Sequence, residues 1–151
     1  MNKVLYIILI SLFSLNVISC AKKSDSSSTT TSSVSFVSVG YNGTILTSSD
    51  GTTWTSRTSG TSNNLLGVTY ANSTFVVMGA SGTILTSSDG TTWTSRTSGT
   101  TENLYGGVTY GNSTFVTVGS SGVILTSPDG NSWTTRTTGT SNHLVGVTYS
   151  Q

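Results

Sequence analysis

Beyond its first 33 residues the chain alternates short apolar runs with turn-forming residues, and the alternation repeats. Leu65-Leu66-Gly67-Val68-Thr69-Tyr70 is followed by a turn at Ala71-Asn72-Ser73. Thr74-Phe75-Val76-Val77-Met78 comes next, then Gly79 to Gly82, then Thr83-Ile84-Leu85-Thr86. Ser88-Asp89-Gly90 turns again into Thr92-Trp93-Thr94-Ser95-Arg96. Each run is rich in β-branched and aromatic residues and bounded by Gly, Asn, Ser or Asp, the signature of a strand. No segment has the apolar spacing of a helix. Adjacent apolar residues such as Ile84 and Leu85 point to opposite faces of a sheet, so these strands are expected to be buried on both sides.

The pattern recurs three times. Gly43 to Thr61 (GTILTSSDGTTWTSRTSGT) is repeated without a change at Gly82 to Thr100, and Gly122 to Thr140 (GVILTSPDGNSWTTRTTGT) is a drifted third copy. Trp54, Trp93 and Trp133 mark the period, 39 residues (93 − 54) and then 40 (133 − 93). The extra residue lies at Tyr105-Gly106-Gly107, where the other copies have Leu66-Gly67 and Val145-Gly146. Four strands in roughly 40 residues is the size of one propeller blade. A single blade has too little core to stand alone, whereas stacked copies bury one continuous interior. The predicted fold is therefore all-β: a β-propeller-like array of three four-stranded antiparallel blades spanning 34–151, with repeats at about 34–73, 74–113 and 114–151.

The array is circularly offset. It opens at Ser35 to Gly40, the second strand of the unit, and its last strand is Leu144 to Tyr149, the first strand of the unit. That last strand is expected to complete the first blade. Propellers usually have about 4–8 blades, so three are half of a six-bladed ring if two chains form a homodimer, each donating its last strand to its partner. The alternative is a truncated piece of a larger propeller with open edges.

The first 33 residues read differently. Lys3 precedes an almost unbroken apolar run from Val4 to Leu15, followed by Asn16-Val17-Ile18-Ser19-Cys20. The run is shorter than the ~20 residues that span a bilayer, so 1–19 is expected to be an export signal. Val17-Ile18-Ser19-Cys20 resembles a bacterial lipobox. The resemblance implies cleavage before Cys20, lipid on its sulfur and anchoring in the cell envelope. With Ala21 rather than Asp next, it points to the outer membrane. Cys20 is the only cysteine, so no intramolecular disulfide forms. The following Lys22 to Ser33 (KKSDSSSTTTSS) has nothing apolar to bury, and 20–33 is read as a lipidated cysteine with a polar tether.

Composition narrows the function classes. Only 7% of residues are charged and the formal net charge is +1. Basic residues form no patch of the kind nucleic acid requires. Roughly two residues in five are Ser or Thr, far above ordinary usage. Carboxylates are few: Asp25 in the tether, Glu102, and Asp50, Asp89 and Asp129 in the turns of the repeat.

Those turns carry a resemblance. Ser48-Ser49-Asp50-Gly51-Thr52-Thr53-Trp54 is similar to the Asp-box, or BNR repeat, with one residue fewer between Asp and Trp. It recurs as Ser87, Asp89, Gly90, Trp93 and as Ser127, Asp129, Gly130, Trp133. Asp-boxes occur in sialidases, in the photosystem II stability/assembly factor family and in bacterial surface propellers. The resemblance implies a propeller fold and leaves the activity open, because unrelated functions share the motif. Box aspartates are expected to accept turn amides.

Catalysis is not expected. Glycoside hydrolysis usually needs two carboxylates about 5–10 Å apart, and Glu102 has no independent partner. Arg57, Arg96 and Arg136 are repeat-equivalent, unlike a convergent arginine cluster. His143 replaces Asn64 and Asn103 of the other copies and is read as a loop residue. One His builds no metal site, and no cofactor or metal is expected. The repeated Trp reads as core. Tyr41, Tyr70, Tyr105, Tyr110 and Tyr149 are the better candidates for exposed contacts, since loop aromatics often carry binding. The leading expectation is a non-enzymatic, surface-anchored propeller scaffold that binds a protein or glycan. A lectin-like module is the alternative, and a sialidase-like hydrolase is disfavoured.

Overall fold

A computed structural model describes residues 33–150. The chain divides into two units, Met1–Thr31 and Ser32–Gln151. The export signal and Cys20, with all of the tether except Ser33, lie outside the described residues.

The second unit is built from antiparallel sheets that follow the repeat. Blade 1 contains β1 (Phe36–Val39), β2 (Ile45–Ser48) and β3 (Thr55–Arg57). Blade 2 contains β4 (Leu65–Ala71), β5 (Thr74–Gly79), β6 (Ile84–Ser87) and β7 (Thr94–Arg96). Blade 3 contains β8 (Val108–Gly111), β9 (Thr114–Val118), β10 (Ile124–Ser127) and β11 (Thr134–Arg136). Strands are adjacent in sequence order within every sheet, so each blade is a simple meander. This is the propeller-like, all-β architecture that the repeat predicts.

Local chemistry explains the connections. The hairpins between β4 and β5 and between β8 and β9 are two-residue loops, Asn72-Ser73 and Asn112-Ser113, with every φ between 46° and 57°. Positive φ at both central residues makes the turn that matches strand twist, and Asn tolerates it well. The second and third strands are joined through one-turn 3-10 segments, Tyr41–Gly43, Ala80–Gly82 and Ser120–Gly122. Gly82 has φ 66°, and a Cβ there would overlap the Thr100 carbonyl oxygen. Glycine is required because the connection to the next blade passes directly against it.

The apolar alternation places the core between blades. Ile84 and Leu85, neighbours on β6, fall in two different clusters. Ile45 of blade 1 meets Leu65, Val77 and Leu85 of blade 2, with Val37, Val39, Val68 and Trp93 around them. Val76, Met78 and Ile84 on the other face of blade 2 meet Leu104, Phe115 and Leu125 of blade 3, with Trp133 beside them. Burying each such side chain contributes about 1.5–3 kcal/mol. Trp93 and Trp133 therefore each cover the seam between their own blade and the preceding one.

Two expectations are corrected. The last strand does not complete the first blade. Blade 1 is three-stranded with β1 at its edge, and Leu144 to Tyr149 has no ladder. The reason is the arc: each inner strand rests on the preceding blade, and three blades do not bring the two ends together. The Leu144 amide donates to the Gly119 carbonyl at 2.9 Å, as Leu65 does to Gly40 at 2.9 Å and Leu104 to Gly79 at 3.1 Å. The final segment thus stands where the inner strand of a fourth blade begins. Second, Trp54 is not core: it is 42% exposed, because among the described residues no blade precedes blade 1.

Candidate functional site

Each box turn is tied together through one oxygen of its carboxylate. Ser48 Oγ donates to Asp50 Oδ1 at 2.9 Å and accepts the Gly51 amide at 2.8 Å. Asp50 Oδ1 also accepts the amides of Thr52 and Thr53, both at 2.8 Å. Ser87 and Asp89 repeat this set, with the Thr91 and Thr92 amides at 2.8 and 2.9 Å. Ser127 and Asp129 repeat it again with Asn131 and Ser132, at 2.8 and 3.0 Å. Gly51, Gly90 and Gly130 all turn at φ of 71° to 77°.

Such bonds favour the charged form. The backbone amide of Thr53, then that of Thr52, holds the Asp50 carboxyl far below its ordinary value of 3.8. The Thr92 amide acts first on Asp89 and the Ser132 amide first on Asp129, in the same direction. A carboxylate this acidic is a poor general base at neutral pH. The boxes are turn-formers, and the three aspartates stand on separate blades.

The repeat-equivalent arginines are tied down in parallel. Arg57, Arg96 and Arg136 each donate through Nε to a threonine Oγ1 of the neighbouring strand, Thr47, Thr86 and Thr126, at 2.8–2.9 Å. They do not converge. Among the described residues no three His, Cys, Asp or Glu side chains group as metal ligands would.

A different set gathers where the 3-10 turns meet the starts of the inner strands. There the Asn42 amide donates to Asn64 Oδ1 at 3.1 Å and the Ser81 amide to Asn103 Oδ1 at 2.8 Å. Asn103 Nδ2 donates to the Tyr105 hydroxyl at 3.0 Å. Hydrogen bonds from Asn103, then Ser120, lower the Tyr105 pKa against the opposing charge of Glu102. The Tyr105 ring meets the His143 ring edge-on, with centroids 6.2 Å apart. Next to this set, a shallow cleft of about 610 Å³ is lined by Ser81, Arg96 and Glu102, among others.

At this end of the array the first two repeats differ beside their identical stretch. Residues 43–61 and 82–100 are the same, but Asn63, Leu66 and Tyr41 become Glu102, Tyr105 and Ala80. Of the candidate tyrosines, Tyr41, Tyr70, Tyr105 and Tyr149 are exposed and Tyr110 is half-buried on Phe115. The grouping of Tyr105 with Asn103, Ser120 and His143 was not legible from spacing, because Asn103 and Tyr105, then Ser120, then His143 stand on three separate loops. The signal that could have found it was the divergence between the copies.

No family model matches this chain, and no curated protein matches it at a significant level. Among solved structures it is similar to "YCF48 bound to D1 peptide", with a TM-score of 0.52 and 23% identity over 66% of this chain. The match covers 34% of that structure's chain, so this chain spans about a third of its length. At that identity the likeness shows the fold.

Proposed function

We propose that this protein is a non-enzymatic scaffold that holds a protein segment on the face built from Tyr105, Asn103 and His143, with the buried Ser120 behind it, and that Cys20 anchors it by lipid in the bacterial envelope, at the outer membrane. The observation that carries the reading is the division of labour between residues. The box carboxylates are committed to their own turns. Tyr105, which stands where the other copies have Leu66 and Val145, and His143, which stands where they have Asn64 and Asn103, are exposed at one end. Tyrosine with asparagine and serine is a common chemistry for binding peptide backbone, pairing rigid apolar area with adaptable hydrogen bonds. The similar solved structure is of a protein bound to a peptide, which supports the same use here.

The test is a photo-crosslinking amino acid placed at Tyr105 in the full chain, in producing cells, with the same residue at Thr52 in a box turn as control. The reading expects discrete polypeptide adducts from position 105 and none from position 52. Adducts from both positions alike, or from neither, overturn it. Retention of defined glycans on an array by the purified chain, without polypeptide adducts, replaces it with the lectin-like reading. Turnover of a fluorogenic sialoside ends the non-enzymatic one.

A further inference from the structure

Each complete blade lays a tyrosine of its inner strand on a phenylalanine of its second strand. Tyr70 sits on Phe75 and Tyr110 on Phe115, both with ring centroids 4.5 Å apart. Two halves of this pair are left over. Among the described residues blade 1 has Phe36 but no inner strand, and Phe36 is 50% exposed. The segment Leu144 to Tyr149 has the tyrosine but no second strand, and Tyr149 is 47% exposed.

The sheet faces are left over in the same complementary way. Phe115, Leu125 and Trp133 of blade 3 close on Val76, Met78 and Ile84 of blade 2. The equivalents of the first set on blade 1 are Phe36, Leu46 and Trp54. Leu46 is half-buried, whereas Leu85 and Leu125 in the same place are fully buried. The equivalents of the second set on blade 3 are Val116, Val118 and Ile124. Val116 and Ile124 are half-buried and Val118 is already buried, on the face toward the final segment: a Cβ at Gly106 would overlap Val118 and approach the Gly146 amide to 3.1 Å.

We propose that the occupant of both free faces is a second copy of this chain. Leu144 to Tyr149 of each copy becomes the missing inner strand of the other copy's blade 1, so that two copies close a six-bladed ring. The inference does not rest on the binding function proposed above. A second copy fits because the contact it makes already exists twice within the chain, between blades 1 and 2 and between blades 2 and 3. An unrelated partner would have to reproduce that packing. Among the described residues no strand pairs with the outer edge of β1, and such an edge is satisfied by an added strand. Twice three blades falls within the usual range of about 4–8, and a two-fold pair closes where a head-to-tail chain would not.

The register follows from blade 2, where Val68 opposes Val77, Thr69 opposes Val76 and Tyr70 opposes Phe75. Transferred by repeat, Val147 of one copy opposes Ser38 of the other, Thr148 opposes Val37, and Tyr149 stacks on Phe36. Directly opposed residues in an antiparallel pair have Cα atoms about 4.5–5.5 Å apart, within the ~4.4–6.8 Å that a disulfide bridges.

The experiment uses the full chain carrying Ser38→Cys and Val147→Cys, oxidised mildly in cells and run without reductant. Ser38 is exposed and Val147 half-buried, so the blade cores stay intact. The single variants, which retain Cys20, control for pairing through that residue. The proposal expects a two-chain species that reductant dissolves, with severalfold less from the out-of-register pair Ser38→Cys and Gly146→Cys. A two-chain yield no higher than in the single variants overturns it. So does an internally linked single chain, or a ladder of higher multiples.

Discussion

Replacing the three repeat-equivalent phenylalanines by alanine, one at a time, separates the buried seams from the free face. Phe115 is 0% exposed among Val76, Met78, Ile84, Leu104 and Leu125, and Phe75 is 8% exposed. Deleting such a ring loses its transfer free energy and leaves a cavity, together about 3–5 kcal/mol. Phe36 is 50% exposed. Within one chain its truncation removes about half of a ~3 kcal/mol transfer term, and solvent fills the space, so the cost is about 1–1.5 kcal/mol. Urea unfolding of the full chain, followed by fluorescence of the three tryptophans, reads both. With a slope near 2 kcal/mol per molar urea, Phe115→Ala lowers the midpoint by about 2 M and Phe36→Ala by about 0.6 M. The Phe115 and Phe75 shifts are independent of protein concentration. The Phe36 shift grows with concentration, because the same ring is buried when a second copy docks. Equal losses for Phe36→Ala and Phe115→Ala at the lowest concentration would refute the assignment of a free face. So would a Phe115→Ala loss below about 1 kcal/mol.

Three further outcomes follow from the same geometry. The box aspartates have folded pKa values depressed below the ordinary 3.8, so between the folded and unfolded values the unfolded chain binds more protons. Their contribution is fully present above about pH 5 and is lost as pH falls below about 4. Melting temperatures followed from pH 7 downward should show that acid limb. It should be flattened in the triple variant Asp50→Asn, Asp89→Asn, Asp129→Asn, and unchanged limbs would contradict the role given to these groups. Trp133 Nε1 donates to the Gly130 carbonyl at 2.9 Å, whereas Trp93 Nε1 is buried without a partner. Trp133→Phe should therefore cost about 1 kcal/mol more than Trp93→Phe in chemical denaturation; the reverse order would count against this assignment. Cys20→Ser should abolish incorporation of labelled fatty acid, and a variant that still incorporates it would exclude the anchor.

Much of this fold can be read from the chain because its local signals agree. Turn residues at Asn72-Ser73 and Asp89-Gly90 separate runs of the right length, and adjacent apolar pairs such as Ile84-Leu85 announce burial on both faces. The box hydrogen bonds were readable for the same reason: Ser and Asp two residues apart act on amides two and three residues on. What the periodicity cannot say is how far three blades turn. It made Leu144 to Tyr149 equivalent to an inner strand but left open which blade that strand serves. It also treated Trp54 like Trp93 and Trp133, although their burial depends on a preceding blade rather than on their own sequence. Tyr105, Asn103, Ser120 and His143 meet only because the meander of blade 3 and the segment after it bring three separate loops to one end.

Two three-bladed copies completing each other is the claim on which the ring, the burial of Phe36 and the concentration dependence all rest. Native mass measurement of the full chain, released from detergent across a range of concentrations, tests it most directly. The account predicts a single assembly of two chains that separates into one on dilution, and separates more readily in Tyr149→Ala. A strict monomer at every concentration, or an open-ended series of masses, would contradict it.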